Sequence, residues 1–279
     1  MDLRLVQAAS IAILLSGCSG GGALRGYGPE VLGQGDPSLD PCARVLACGI
    51  EGDLFFPAGG NIVRYEPGDN RHERIVRDGC QGVRDLAVTE DGALVVLADR
   101  TVSAYIGGYL LEVLTLPCGG RRMSVGDGCL YVACDTLGGG GGALYRYDTG
   151  GGGLLLRCEF EGGITAIAGV RGGCLVASGG CVYKVFDSPD KVVSLFVFGL
   201  YGRVIGSLAP DPLSRIVYFT ADDATYAYLE GQVVQVLPMG GVARFRRGEL
   251  VVLDHAIPQL VILGDAASRA RAQIRAGRE

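Results

Sequence analysis

One unit recurs along this 279-residue chain and restricts what it can fold into. It is clearest from Val83 to Gly120, VRDLAVTEDGALVVLADRTVSAYIGGYLLEVLTLPCGG, which reads as four short strands cut by the turns TEDG, Asp99-Arg100 and Gly107-Gly108. Runs of β-branched and aromatic residues bounded by Gly and Asp suit a pleated, half-buried surface. Two markers of the unit repeat. A turn glycine precedes an apolar strand at Gly52, Gly92, Gly128, Gly173 and Gly248, and Ser214-Arg215 takes that place before IVYF. The following strand closes on Tyr65, Tyr105, Tyr147, Phe186, Tyr228 and Leu263, at successive spacings of 40, 42, 39, 42 and 35 residues. One such sheet cannot bury both its faces alone, so the units must stack.

A period of about forty residues with four strands per unit predicts an all-β fold, a six-bladed β-propeller of four-stranded antiparallel blades. A β-sandwich is the alternative, but it does not require the same order of turn and closing aromatic or aliphatic residue six times. The blades fall at 42–80, 81–119, 120–162, 163–202, 203–240 and 241–265. The sixth stops after three strands, whereas ALRGYGPEVLGQG (23–35) matches the outer strands LLEVLTLPCGG and QVVQVLPMGG. The N-terminal segment is therefore expected to complete blade six, residues 29–33 pairing with 258–263, which removes a sheet edge and closes the ring. The pattern in LAVTEDGALVVLADRTVSAY and ELVVLDHAIPQLVIL resembles the six-bladed propellers that include the NHL and YVTN-type repeats, over about residues 24–265. The resemblance implies architecture only, because that fold carries hydrolases, lyases, sugar dehydrogenases and scaffolds.

The flanks carry their own signals. Residues 1–17, MDLRLVQAASIAILLSG, hold an apolar run too short to span a bilayer and read as an export signal. Leu15-Ser16-Gly17-Cys18 resembles the lipobox of bacterial lipoproteins, which implies cleavage before Cys18 and its acylation. The resemblance also implies membrane lipid as a partner and residence in the cell envelope, at the outer membrane since Ser19 follows the cysteine. Residues 18–23 then form the lipidated cysteine and a flexible SGGG tether, 24–265 the propeller and 266–279 a basic tail, either a short helix or a disordered end. The run GGGGGA (138–143) makes a long connection in blade three.

Net charge is −5 and no basic stripe alternates with aromatics, which argues against nucleic acid as a partner. Ten cysteines are the oddest feature. Cys42, Cys80 and Cys118 fall at nearly equivalent places, at the loop entering the inner strand of three successive blades, towards one end of the channel. Three readings stay open for them: small buried hydrophobes, an interblade disulfide, or a thiolate metal or redox site. No C-x-x-C spacing occurs, so no bound metal or cofactor is expected. Cys129 and Cys134, on one strand, lie too far apart to bond each other. His72 sits in the charged loop GDNRHER, and Asp254-His255 lacks a nucleophile elbow, so no catalytic residue is assigned.

Lactonase relatives of the fold use Glu, Asn and Asp around a channel calcium ion. Here Asp85 and Arg84 are the nearest polar candidates, with Arg44, Arg122, Arg203 and Arg244 at comparable places in other blades. Those arginines either ring the channel mouth and favour an anionic ligand or acidic partner loop, or turn outward and pair with neighbouring carboxylates. The expected function is a non-enzymatic, lipid-anchored scaffold that binds a protein or peptide. The alternative is a channel-site enzyme of the lactonase or sugar-dehydrogenase type.

Overall fold

The computed structural model describes residues 24–27, 45–58, 60–67, 69, 71–76, 82–136, 140–188, 191–198, 204–254 and 259–276. Six four-stranded antiparallel sheets follow one another along the chain, each ordered from an inner to an outer strand. The inner strands are Ala47–Cys48, Val83–Val88, Gly120–Gly126, Ile164–Val170, Ile205–Pro210 and Val242–Arg246. Each packs on the next and the sixth packs on the first, so the blades close into a ring. This is the expected propeller.

Closure is made by the N-terminal segment, as expected, but by other residues. Leu24–Tyr27 forms the outer strand of blade six, with Leu24 opposite Leu263 and Tyr27 opposite Leu260. Residues 29–33 lie outside the described residues. A second difference concerns the segment around His72, expected as a charged loop. Arg71–Val76 is the outer strand of blade one, with its backbone paired from Ile62↔Val76 to Glu66↔Arg71. An outermost strand has one solvent-facing edge and splayed neighbours, so a charged RHERIV can pair without burying its charges.

The repeat extends to register. In blades one to five the outermost strand pair slips by one residue at the same point: Ile62/Val63, Val102/Ser103, Leu144/Tyr145, Val182/Tyr183 and Thr225/Tyr226. A bulge there bends and twists the outer strand, which lets each blade splay from its neighbour as the ring widens.

Between blades the core consists of facing apolar sheets. One cluster joins Ala87, Val95 and Leu97 of blade two to Met123, Leu130 and Val132 of blade three. The inner strands of blades three and four approach more closely still. A Cβ on Gly169 would lie 2.2 Å from the Val125 carbonyl oxygen, and one on Gly126 would lie 2.9 Å from the Gly169 backbone. Only glycine permits that approach.

The C-terminal tail is a helix, Ala266–Ala276, not a disordered end. Its residues four apart, Ala266, Ala270 and Ile274, are buried, and Arg271 and Arg275 face outward. That spacing is one face of an α-helix. Ala266 and Ala270 join the core between blades five and six, where Val234 and Val236 of the outer strand Gln232–Leu237 also pack. Truncating Ile274 to alanine should therefore lower stability by about 1–2 kcal/mol, at the low end for a buried isoleucine because the helix is terminal. Urea denaturation against the exposed control Gln273→Ala measures it.

Candidate functional site

The site is built where the six inner strands face the axis, and register decides which residues meet. In blades two to five the inner strand carries one extra residue near its start, at Arg84, Arg121, Thr165 and Gly206. The next position holds Asp85, Arg122, Ala166 and Ser207, with Val242 in blade six. Two residues further on it holds Ala47, Ala87, Ser124, Ala168 and Ala209, and in blade six Arg244. The arginines that looked equivalent in sequence therefore occupy three different levels. Among the described residues only Arg244 reaches the buried carboxylate.

Asp85 is 3% exposed. Its Oδ1 accepts from the Leu86 N–H at 2.9 Å and its Oδ2 from the Met123 N–H of the next blade at 2.8 Å. Ser207 repeats the second contact, accepting from the Ala243 N–H at 2.8 Å, and also hydrogen-bonds Thr220. A polar side chain at this level thus staples one inner strand to the next. Arg244 approaches the same carboxylate from blade six, its Nη2 3.6 Å from Asp85 Oδ1. Blades six and two are not neighbours, so this contact crosses the channel. Small side chains at the Arg244 level in the other five blades leave space for that reach. Burial pushes the Asp85 carboxyl up, and Arg244, then Arg122, then the two backbone N–H groups oppose the rise.

Arg122 is half-buried nearby. Its Nε donates to the Thr165 carbonyl at 3.1 Å and its Nη1 to the Arg121 carbonyl at 3.1 Å. It meets no carboxylate within ion-pair distance among the described residues. Of these two guanidinium groups, one is therefore paired with the buried carboxylate and the other bonds only backbone carbonyls among the described residues. Cys48, on the inner strand of blade one, lies within the influence of the same charges. Burial pushes its thiol up to about 11, against the pull of Arg246 and Arg244.

The remaining expected residues divide. Arg84 turns outward and pairs with Asp99 at 3.0 Å, which is the pairing alternative. Arg121, not singled out in sequence, does the same with Asp135 at 2.9 Å. Arg44, Arg203, Cys18, Cys42, Cys80 and His255 lie outside the described residues. Asp254 is buried at the end of the second strand of blade six. Cys118 is buried in the core between blades two and three. Among the described residues Cys48, Cys118, Cys129, Cys134, Cys158, Cys174 and Cys181 all carry free thiols.

A second polar cluster escaped sequence reasoning. Between blades three and four, Tyr131 donates to Asp187 Oδ2 at 2.5 Å, and Arg146 lies 3.5 Å from Asp187 Oδ1. Arg146 also donates to Cys129 Sγ at 2.9 and 3.2 Å. Asp187 lies 41 to 58 residues from the other three groups in the chain and nothing local marks the set. Together they tie the two blades through one hydrogen bond and one ion pair to Asp187.

The calcium arrangement of lactonase relatives does not fit these residues. Each Asp85 carboxylate oxygen accepts from a backbone N–H, and the Arg244 guanidinium stands 3.6 Å from Oδ1. Among the described residues no three His, Cys, Asp or Glu side chains converge to hold a metal ion.

No protein-family model matches the chain, and no curated protein matches its sequence. Solved structures do match in three dimensions. A gluconolactonase from Xanthomonas campestris superposes with a TM-score of 0.66 at 11% identity, covering 81% of this chain and 87% of that one. A luciferin-regenerating enzyme gives 0.67 at 11% identity, covering 88% and 95%. The WD40 repeats of RRP9 give 0.59 at 12% identity, covering 80% and 94%. The likeness is one of fold. Enzymes and WD40 repeat proteins both stand among these neighbours, so the site has to decide between the readings.

Proposed function

We propose that the protein is a non-enzymatic binding propeller whose channel receives an acidic group of a protein or peptide partner. The observation that carries this reading is that Arg244 reaches the buried Asp85 while Arg122, half-buried nearby, meets no carboxylate within ion-pair distance among the described residues. A carboxylate on the partner would complete the neutralisation, and guanidinium groups bind carboxylates through paired N–H donors. Among the described residues Arg122 and Arg244 supply cationic hydrogen-bond donors at the axis.

Asp85 then acts as the internal competitor for Arg244. Asp85→Asn keeps a side-chain acceptor for the Met123 N–H but removes the competing charge, so it should tighten binding of a fluorescein-labelled octaglutamate peptide about tenfold. Fluorescence anisotropy measures this. Weaker or unchanged binding would remove Asp85 from the account. The lactonase-type reading, suggested by the gluconolactonase and luciferin-regenerating neighbours, is tested alongside by lactone hydrolysis in a pH-stat with added calcium. Calcium-dependent turnover would replace the binding reading by the enzymatic one.

The proposal extends to location. With Cys18 acylated, the SGGG tether would hold the ring close to a membrane, and two or three acyl chains suffice for stable anchoring. Intact mass spectrometry of protein extracted from membranes tests this. Loss of residues 1–17 with added acyl mass is the expected result, and an unprocessed, unlipidated chain would detach the ring from the envelope.

A further inference from the structure

As blades splay outward, each pair of neighbours leaves a wedge at the rim, and three of these wedges have a distinct filling. Between blades five and six it is the C-terminal helix, over Val234 and Val236. Between blades four and five it is aromatic, with Phe196 stacked on Tyr228 at 4.1 Å and Phe198 against Tyr226 at 4.8 Å. Between blades three and four it is polar, with Arg157 donating to the Phe186 and Asp187 carbonyls.

Blade two departs from this pattern. Register places Leu111 and Val113 of its outer strand, Tyr109–Thr115, where blade five has the helix-covered Val234 and Val236. The same two positions hold Glu73 and Ile75 in blade one, Leu155 and Arg157 in blade three, and Val193 and Leu195 in blade four. Leu111 is 51% and Val113 44% exposed, next to Ile106 at 55% and Tyr109 at 73%. Across the wedge, blade three contributes Leu156, 50% exposed and opposite Tyr145 in register. Tyr145 packs into the blade two–three core, so strand alternation turns Leu156 towards blade two. Exposed Glu159, close enough to Tyr145 to act on its hydroxyl, adds negative charge to the same wall.

We infer that the wedge between blades two and three is a docking site for an amphipathic helix of a partner protein, with small or branched apolar residues four apart and a basic flank. The fold already contains the template. At the equivalent wedge of blades five and six, a helix with Ala266, Ala270 and Ile274 on one face and arginines on the other covers the matching strand positions. The open wedge presents the same strand geometry, larger apolar side chains and an acidic residue for the arginines. It is separate from the channel, so binding at either place can be gained or lost independently.

The test uses the full chain and a labelled peptide of residues 264–279, GDAASRARAQIRAGRE. A lactam bridge holds the peptide helical through Ser268→Glu and Ala272→Lys, both at exposed positions, because so short a helix is marginal alone. The native helix occupies its own wedge at high effective concentration, which leaves the open wedge for the free peptide. Saturable one-to-one binding is expected, with slowed hydrogen exchange in Tyr109–Thr115. The Leu111→Glu/Leu156→Glu variant should lose affinity at least tenfold, and Leu213→Glu, at a 90% exposed residue of blade five, should not. Should the double variant fold poorly, the exchange map on the wild type decides. Absence of binding at about 1 mM peptide overturns the proposal. So does binding that survives Leu111→Glu/Leu156→Glu, equal binding by a scrambled peptide, or a wild-type dimer that buries this wedge.

Discussion

Gly169→Val should destabilise the protein by about 3 kcal/mol, the upper end for overpacking, and lower its melting temperature by roughly 10 °C. The new Cβ would lie 2.2 Å from the Val125 carbonyl oxygen and 2.7 Å from the Gly126 nitrogen. Both are backbone atoms of the adjacent inner strand, so no rotamer change relieves the overlap. The strands of blades three and four would have to separate, and with them the 2.8 Å hydrogen bond from the Gly169 N–H to Ser124 Oγ. A ring transmits that separation, because every blade is held between two others. Gly163→Val is the control: a Cβ there meets nothing within 4 Å, and its effect should stay within about 0.5 kcal/mol. Equal losses in the two variants would mean that the close approach is not what makes glycine necessary at 169.

Arg244→Ala carries the second large effect and has a pH signature. Removing the guanidinium leaves Asp85 buried without its main counter-charge, at an expected cost of about 2–3 kcal/mol at neutral pH. Burial already raises the Asp85 carboxyl above its unfolded value, and Arg244 is the first of the groups opposing that rise. A raised carboxyl contributes stability that is fully present below the unfolded value and is lost as pH rises through the folded one. Without Arg244 the folded value climbs further, so more stability is lost over the same rise in pH. The gap between wild type and variant should therefore be smallest below the ordinary carboxylate range and widen to a plateau towards neutrality. Urea denaturation across that range measures it. A gap independent of pH would show that Arg244 stabilises by packing and not through Asp85.

The architecture was legible because it is written six times. Turn glycine, apolar strand and closing aromatic recur at a nearly constant interval, and that interval survives in the shared bulge of the outer strand pairs. The closing strand was legible as a segment but not in register, since LRGY and the stretch after it offer similar alternation and only the partner strand chooses between them. The site was less legible. A count of residues from each turn puts Arg84, Arg122 and Arg244 at comparable places, but the inner strands of blades two to five carry an extra residue, at Arg84 and Arg121 in the first two, that blade six does not show. That shift sends Arg84 outward to Asp99 and turns Asp85 into the blade contact. Arg244 reaches Asp85 because alanine or serine stands at its level in the five other blades, and no local window contains that fact. The C-terminal helix had its signal in the spacing of Ala266, Ala270 and Ile274, though the surface it covers belongs to blade five.

The central claim is that paired arginines in the channel bind an acidic group. Anisotropy titration of the octaglutamate peptide into wild type and Arg122→Ala tests it most directly, because Arg122 bonds only backbone carbonyls among the described residues and its loss should leave the fold intact. A charge-assisted contact predicts affinity about tenfold lower in the variant, at unchanged melting temperature. Equal affinity in the two proteins, or preference for an octalysine peptide, would contradict it.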